Sequence, residues 1–229
     1  MRYVTRVARR AALFDMDRTL LETTTAHLYT RYRRDRGEIG WATTLKVAYW
    51  LLKYSFGVID AQKVALSALR EFSGKEERVL VDNCEDWFKR YVLHHVRSAA
   101  RRSVDAHRDA GDHLAIVTGA TPYAAAPLAR ELGIEHLVAS ELEVGADGRL
   151  TGRPLDPLCY GVGKVSRTRL LAEKLGFDLG EATFYSDSIT DLPLLECVGT
   201  PVAVSPDRRL LRVAKKRGWR IELWNNPRK

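Results

Sequence analysis

The sequence predicts an α/β protein, a doubly wound and mostly parallel sheet with an inserted helical segment, and three features carry that reading. From about residue 97 onward, short apolar runs alternate with helical patterns, the order that builds parallel strands covered on both faces. The run Ala11-Ala-Leu-Phe-Asp-Met-Asp-Arg-Thr-Leu20 starts as a buried strand and ends in two carboxylates. Between these regions, from 21 to 96, helical spacing dominates and strands are hard to find. The expected organisation is therefore a core made of 1–20 and 97–229, with 21–96 inserted into it.

The elements follow in order. After the first strand, the insertion contains Trp41, Tyr49, Trp50, Tyr54, Phe56, Trp87 and Phe88. Its stretch from Trp41 to Phe56 is apolar enough to raise the question of a membrane, but it is too short to span one and is interrupted by Lys46 and Lys53. Attachment to a membrane surface is the weaker expectation; packing on the core or on a second copy in a homodimer is the stronger one. Then come a helix from about Arg97 to Ala110, a strand at His113 to Val117, a helix from Thr121 to Leu132 and a short strand from His136 to Ala139. Leu142-Glu-Val and Arg149-Leu-Thr-Gly flank Gly145-Ala-Asp-Gly148, which is turn chemistry for a hairpin. Helix and strand alternation resumes with Lys164 to Leu175, Ala182 to Tyr185, Leu192 to Cys197, Pro201 to Val204, Asp207 to Arg217 and a last strand near Arg220 to Leu223.

Composition narrows the class. An apolar content of 45% and a charged content of 29% over 229 residues fit a soluble globular chain with one sizeable core. The net charge of +8 raises nucleic acid or an anionic membrane as partners. Its basic clusters, such as Arg31-Tyr-Arg-Arg34, Arg101-Arg102, Arg208-Arg209 and Lys215-Lys-Arg217, are dispersed and carry no nucleic-acid motif, so no specific nucleic-acid partner is expected. The basic start, Arg2, Arg6, Arg9 and Arg10, precedes an apolar run that soon meets Asp15, a poor match to a secretory leader. Cys84, Cys159 and Cys197 are odd in number and widely spaced, which suits a reducing cytoplasm.

Asp15 and Asp17 are the most informative residues. Two carboxylates and a threonine at the end of a buried strand repel strongly unless a cation or a shared proton offsets the charge. A divalent metal does so, leaving one carboxylate to attack an electrophile and the other to handle a proton. Taken alone, the pair also reads as a helix N-cap beside a surface acid.

The pattern Asp15-x-Asp17-x-Thr19 resembles the first motif of the haloacid dehalogenase-like phosphohydrolases, and three further motifs follow in the family's order. Leu114-Ala-Ile-Val-Thr118-Gly119 matches the strand ending in threonine, Lys164 in Cys159-Tyr-Gly-Val-Gly-Lys164 matches the motif lysine, and Thr183-Phe-Tyr-Ser-Asp187-Ser-Ile-Thr-Asp191 matches the strand followed by paired acids. The resemblance implies that 21–96 is a helical cap over the catalytic end of the sheet. It further implies Asp15 as nucleophile forming an aspartyl-phosphate, and Asp17 as general acid and base. Mg²⁺ would be held by Asp15, the backbone carbonyl of Asp17 and Asp187. Thr118, the Gly119 amide and Lys164 would hold the phosphate, with Asp191 and Ser188 in support. Arg18, inside the first motif, is a candidate contact for a substrate anion.

The helical insertion, the hairpin and the segment around Lys164 resemble the phosphoserine phosphatase-like branch. Two departures stand out: Thr24 occupies the place of a substrate-binding glutamate, with Glu22 the nearest acid, and Ser186-Asp-Ser-Ile-Thr-Asp191 replaces a Gly-Asp-Gly-x-Asn-Asp pattern. The expected activity is Mg²⁺-dependent hydrolysis of a small phosphorylated metabolite. A phosphotransferase using the same intermediate, and a binding protein on this scaffold recruited to anionic membrane or nucleic acid, are the alternatives.

Overall fold

A computed structural model describes residues 10–55, 66, 67 and 69–224, with no side chain described at 48 or from 50 to 55. Arg2, Arg6 and Arg9, the end of the apolar stretch at Phe56, and the side chains of Trp50, Lys53 and Tyr54 lie outside the described residues.

The short apolar runs form one six-stranded sheet because each alternates its side chains between two buried faces. The strands are β1 (Ala11–Phe14), β2 (His113–Val117), β3 (His136–Val138), β6 (Thr183–Ser186), β7 (Thr200–Val204) and β8 (Arg220–Glu222). Their order is β3-β2-β1-β6-β7-β8, and every pairing is parallel. The remaining two strands, β4 (Leu142–Val144) and β5 (Leu150–Pro154), form the expected antiparallel hairpin as a separate sheet.

On one face Ala12, Phe14, Leu114, Ile116, Tyr185, Val202 and Val204 pack against Ala100 and Val104 of α4 (Ser98–Asp109) and Ala125 and Leu128 of α5 (Pro122–Leu132). On the other, Ala11, Leu13, Ala115, Val117, Phe184 and Ala203 meet α6 (Val162–Leu175), α7 (Leu192–Leu195) and α8 (Arg208–Arg217) through Val165, Ala172, Leu194, Leu195, Leu210 and Ala214. The period-two division of each strand between these clusters is what makes the sheet doubly covered.

The inserted segment holds α1 (Thr25–Asp35), α2 (Trp41–Ser55) and α3 (Glu77–Trp87). The chain leaves the core at Leu21 and returns at Val96, and these two residues pair across an antiparallel bridge. Main-chain bonds from Glu22 N–H to the His95 carbonyl (2.9 Å) and from Arg97 N–H to the Leu20 carbonyl (3.0 Å) close the junction. Leu28, Tyr32, Trp87 and Phe88 from this segment join the same apolar cluster as the sheet. α3 is also tied to α5 by Tyr123, whose hydroxyl donates to Glu77 at 2.8 Å. Among the described residues no helix is long and apolar enough to cross a membrane.

Candidate active site

β1 lies at the centre of the sheet, where the chain winds to β2 and β3 on one side and to β6, β7 and β8 on the other. At such a switch point the loops beyond the carboxyl ends of the strands diverge and leave a crevice. Asp15 follows β1, Thr118 follows β2 and Asp187 follows β6, so topology alone brings together residues more than a hundred positions apart.

The segment after Asp15 forms one wide turn, Met16–Leu20, in which the Leu20 and Leu21 amides bond back to the carbonyls of Asp15 and Met16. Arg18 sits within it at φ 58°, left-handed backbone that an L-residue adopts only under constraint. The constraint is visible: the Arg18 amide donates to the Thr23 carbonyl (3.3 Å), and its carbonyl accepts from the guanidinium of Arg97 (3.2 Å). Arg97 is buried and also donates to the carbonyls of Leu21 and Trp224. The Arg18 side chain is exposed.

Lys164 stands at the centre of the charge cluster, only 3% exposed. Its Nζ is 2.7 Å from Asp15 Oδ1 and 2.7 Å from Asp191 Oδ2, and it lies over the Phe184 ring. Burial opposes its charge, but the two carboxylates outweigh that and hold the ammonium protonated well above the ordinary lysine range. Burial is also the main influence on Asp15, pushing its carboxyl up to about 7 against the pull of Lys164. Thr19, fully buried, donates a long bond to Asp15 Oδ2 (3.4 Å) and accepts from the Asp187 amide (3.1 Å). Asp191 Oδ2 also accepts from the Ser186 hydroxyl at 2.7 Å.

Asp187 is buried, and the charges of Asp15, Asp191 and Arg18 act on its carboxyl. Burial, then the like charges of Asp15 and Asp191, raise its pKa well above the carboxylate range. Lys164 pairs with Asp15 and Asp191, while like charge among Asp15, Asp187 and Asp191 raises the cost of ionising them, a cost that a bound divalent cation would offset. The side chains here offer only oxygen donors, the carboxyls of Asp15 and Asp187, which is the donor chemistry Mg²⁺ takes. Among the described residues no group of three or more acidic, histidine or cysteine side chains is arranged to hold a metal by itself.

The Asp17 carboxylate instead accepts from the Thr25 amide (2.8 Å, Oδ1) and the Thr25 hydroxyl (3.1 Å, Oδ2) at the start of α1. Burial raises its pKa, and the two Thr25 bonds pull it back. The helix-terminus role that the bare motif suggested is thus the contact Asp17 makes here. Thr24 caps α1, accepting from the His27 amide at 3.3 Å, and Glu22 lies against His95 (3.6 Å).

Thr118 is buried, and its hydroxyl accepts from the Ala120 amide (3.1 Å), which curls the loop between β2 and α5. A Cβ at Gly119 would sit 2.3 Å from the Tyr160 ring, so glycine is needed for the ring to lie flat on this loop. Ser188 accepts from the Thr190 amide (3.3 Å), and its own amide donates to Ser186 Oγ (3.2 Å), shaping the loop that carries Asp187 and Asp191.

The structure brings Lys164 against Asp15 and Asp191, with Asp187 close enough for their charges to act on it, and puts Ser188 in the loop between Asp187 and Asp191; the Asp17 carboxylate bonds to Thr25, and the Arg18 side chain is exposed while its charge acts on Asp187 and Asp17. Several contributors escaped the sequence reading. Thr19 was visible as the motif's last member. Asp207 was visible as an acid opening a helix: it accepts from the amides of Arg209, Leu210 and Ile189, and its own amide donates to the Asp187 carbonyl (2.8 Å). Tyr160 and Arg97 carried no signal that separated them from ordinary residues.

Comparisons with known proteins agree with this architecture. A family model for haloacid dehalogenase-like hydrolases matches residues 12–196. A histidinol-phosphatase of Neisseria meningitidis is 32% identical, covering 92% of this chain and 96% of its own. The phosphoserine phosphatase SerB1 of Mycobacterium tuberculosis is 34% identical, over 96% of this chain and 72% of its own. A Bordetella pertussis protein described as of unknown function superposes with a TM-score of 0.84 at 32% identity, over 94% of this chain and 98% of that one. A phosphoserine phosphatase solved as a phospho-aspartyl intermediate analogue shares the fold with a TM-score of 0.71 at 18% identity, over 96% and 95% of the two chains. The chain belongs to the haloacid dehalogenase-like hydrolases. Within that family it falls in the phosphoserine phosphatase-like branch, and it is a phosphoric monoester hydrolase.

Proposed function

We propose that the protein is a Mg²⁺-dependent phosphomonoesterase that forms an aspartyl-phosphate on Asp15 and acts on a small phosphorylated metabolite. The observation that carries this reading is the buried pairing of Asp15 with Lys164 at 2.7 Å, beside the buried carboxyl of Asp187 on which the charge of Asp15 acts. Bound Mg²⁺ would supply positive charge to the phosphoryl oxygens and to the carboxylates of Asp15 and Asp187.

Asp15 attacks phosphorus through a carboxylate oxygen as the bond to the leaving oxygen breaks. Asp17 protonates that oxygen, then accepts a proton from the water that attacks the phosphoryl group and frees Asp15. Lys164, the Thr118 hydroxyl and the Gly119 amide would hold the phosphoryl oxygens and stabilise the charge that develops on them. Asp17 must first exchange its Thr25 bonds for the leaving group, which couples the acid to the start of α1 and the cap. The cap, 21–96, shields the intermediate from stray water. Relatives carry the names histidinol-phosphatase and phosphoserine phosphatase, which supports small phosphate esters as the substrate class.

The test is phosphate release by wild type and Asp15→Asn across a panel that includes phosphoserine and histidinol phosphate, with Mg²⁺ and with chelator. Loss of at least about a thousandfold in the variant, and loss on chelation, are expected. Undiminished turnover by Asp15→Asn rejects the nucleophile.

A further inference from the structure

We propose that α2 docks the protein on an anionic membrane surface. Trp41, Leu45 and Tyr49 recur every fourth residue, so they fall within one arc of the helix. They are 68%, 67% and 54% exposed, large apolar side chains lined up on one helix of the cap. The stripe spans about 12 Å and the whole helix about 22 Å, lengths that suit lying in an interface rather than crossing a bilayer.

The chemistry of the stripe selects its occupant. Tryptophan and tyrosine pair an apolar ring with a polar tip, the combination favoured at the depth of lipid headgroups. Cations surround them: the Arg34 guanidinium stacks 4.7 Å over the Trp41 ring, and Lys46, next to Leu45, is exposed. From 25 to 49 the chain carries Arg31, Arg33, Arg34, Arg36 and Lys46 against Asp35 and Glu38; the four arginines share Asp35, Glu38 and Glu71 in ion pairs, which leaves a local excess of positive charge with Lys46, within a whole-chain net charge of +8. A second copy would bring the same positive charge to the same face and be repelled, whereas anionic headgroups attract it. α2 packs on α1, which leaves the arc of Trp41, Leu45 and Tyr49 exposed rather than turned into that contact.

The experiment is co-sedimentation of the full chain with phosphatidylcholine vesicles, with and without phosphatidylglycerol, at low and high salt. Binding to the anionic vesicles that weakens with salt is expected. The variant Trp41→Ser/Leu45→Ser/Tyr49→Ser should lose at least about tenfold in binding while its hydrolysis of p-nitrophenyl phosphate stays within about twofold. Lys46→Glu should weaken binding to the anionic vesicles alone. Failure of the wild type to sediment with anionic vesicles overturns the proposal, as does equal binding by the triple variant. Sedimentation equilibrium showing a dimer that the triple substitution dissolves would assign the stripe to a second copy and overturn it too. Equally tight binding to single-stranded RNA, unaffected by the triple substitution, would do the same by reducing the attraction to general polyanion binding.

Discussion

Lys164 has two carboxylates within 2.7 Å and almost no solvent, so its charge cannot be removed quietly. In Lys164→Met, Asp15 and Asp191 would confront each other without a counter-ion, and the expected loss is about 3–5 kcal/mol in urea unfolding, together with loss of phosphate release. Part of that loss should be recovered when Asp191 is also changed to Asn, because the double variant carries one fewer buried charge. At this scale the sequence was a good guide wherever a residue's chemistry is rare. Aspartate at a strand end is hard to explain structurally, so Asp15 and Asp187 stood out. Arginine is common, and nothing in the pattern around Arg97 distinguishes a buried guanidinium holding three carbonyls from a surface one. Asp17 was legible by type but not by orientation, since its contact with Thr25 depends on where α1 begins relative to the preceding turn.

The loop between β2 and α5 is shaped by what lies across it. Tyr160, from the segment before α6, covers Gly119 so closely that a methyl group cannot be added without moving one of them. Gly119→Ala should therefore cut phosphate release by at least about tenfold, and Tyr160→Ala in the same chain should restore part of it. No recovery in the double variant would place the defect in the Gly119 backbone rather than in the ring. Elements themselves were well anticipated: β2, α5, the hairpin, α6 and α8 fall within a residue or two of the sequence reading, because each has a clean period and punctuation by Gly, Pro or a capping acid. The insertion was harder. Its helices were legible as helical spacing, but not as individual bounds, because aromatic and apolar residues surround α2 on more than one side.

Across the whole molecule, strand order converts four distant motifs into one crevice, and that order is not written in any local window. The sequence supplied alternation, from which parallel pairing follows, but the placement of β1 between β2 and β6 had to come from the family pattern or the structure. A cluster of buried carboxyls that is costly to ionise also makes folding sensitive to cations that bind it. At about ten times its dissociation constant, Mg²⁺ should add about 1.4 kcal/mol, or roughly 3–6 °C in melting temperature for a chain of this size, and chelation should reverse it. An unchanged melting temperature with Mg²⁺ would count against a cation site at these carboxylates.

One tether reaches further than its size suggests. Because the Arg97 guanidinium grips the Trp224 carbonyl with one nitrogen and the Arg18 carbonyl with another, the backbone just past β8 is a brace for the loop that follows Asp15. Trimming the chain just before Trp224 should slacken that loop from two hundred positions away, lowering turnover more than substrate affinity. Steady-state kinetics on such a shortened protein would measure how much of the catalytic order is borrowed from the backbone just past β8.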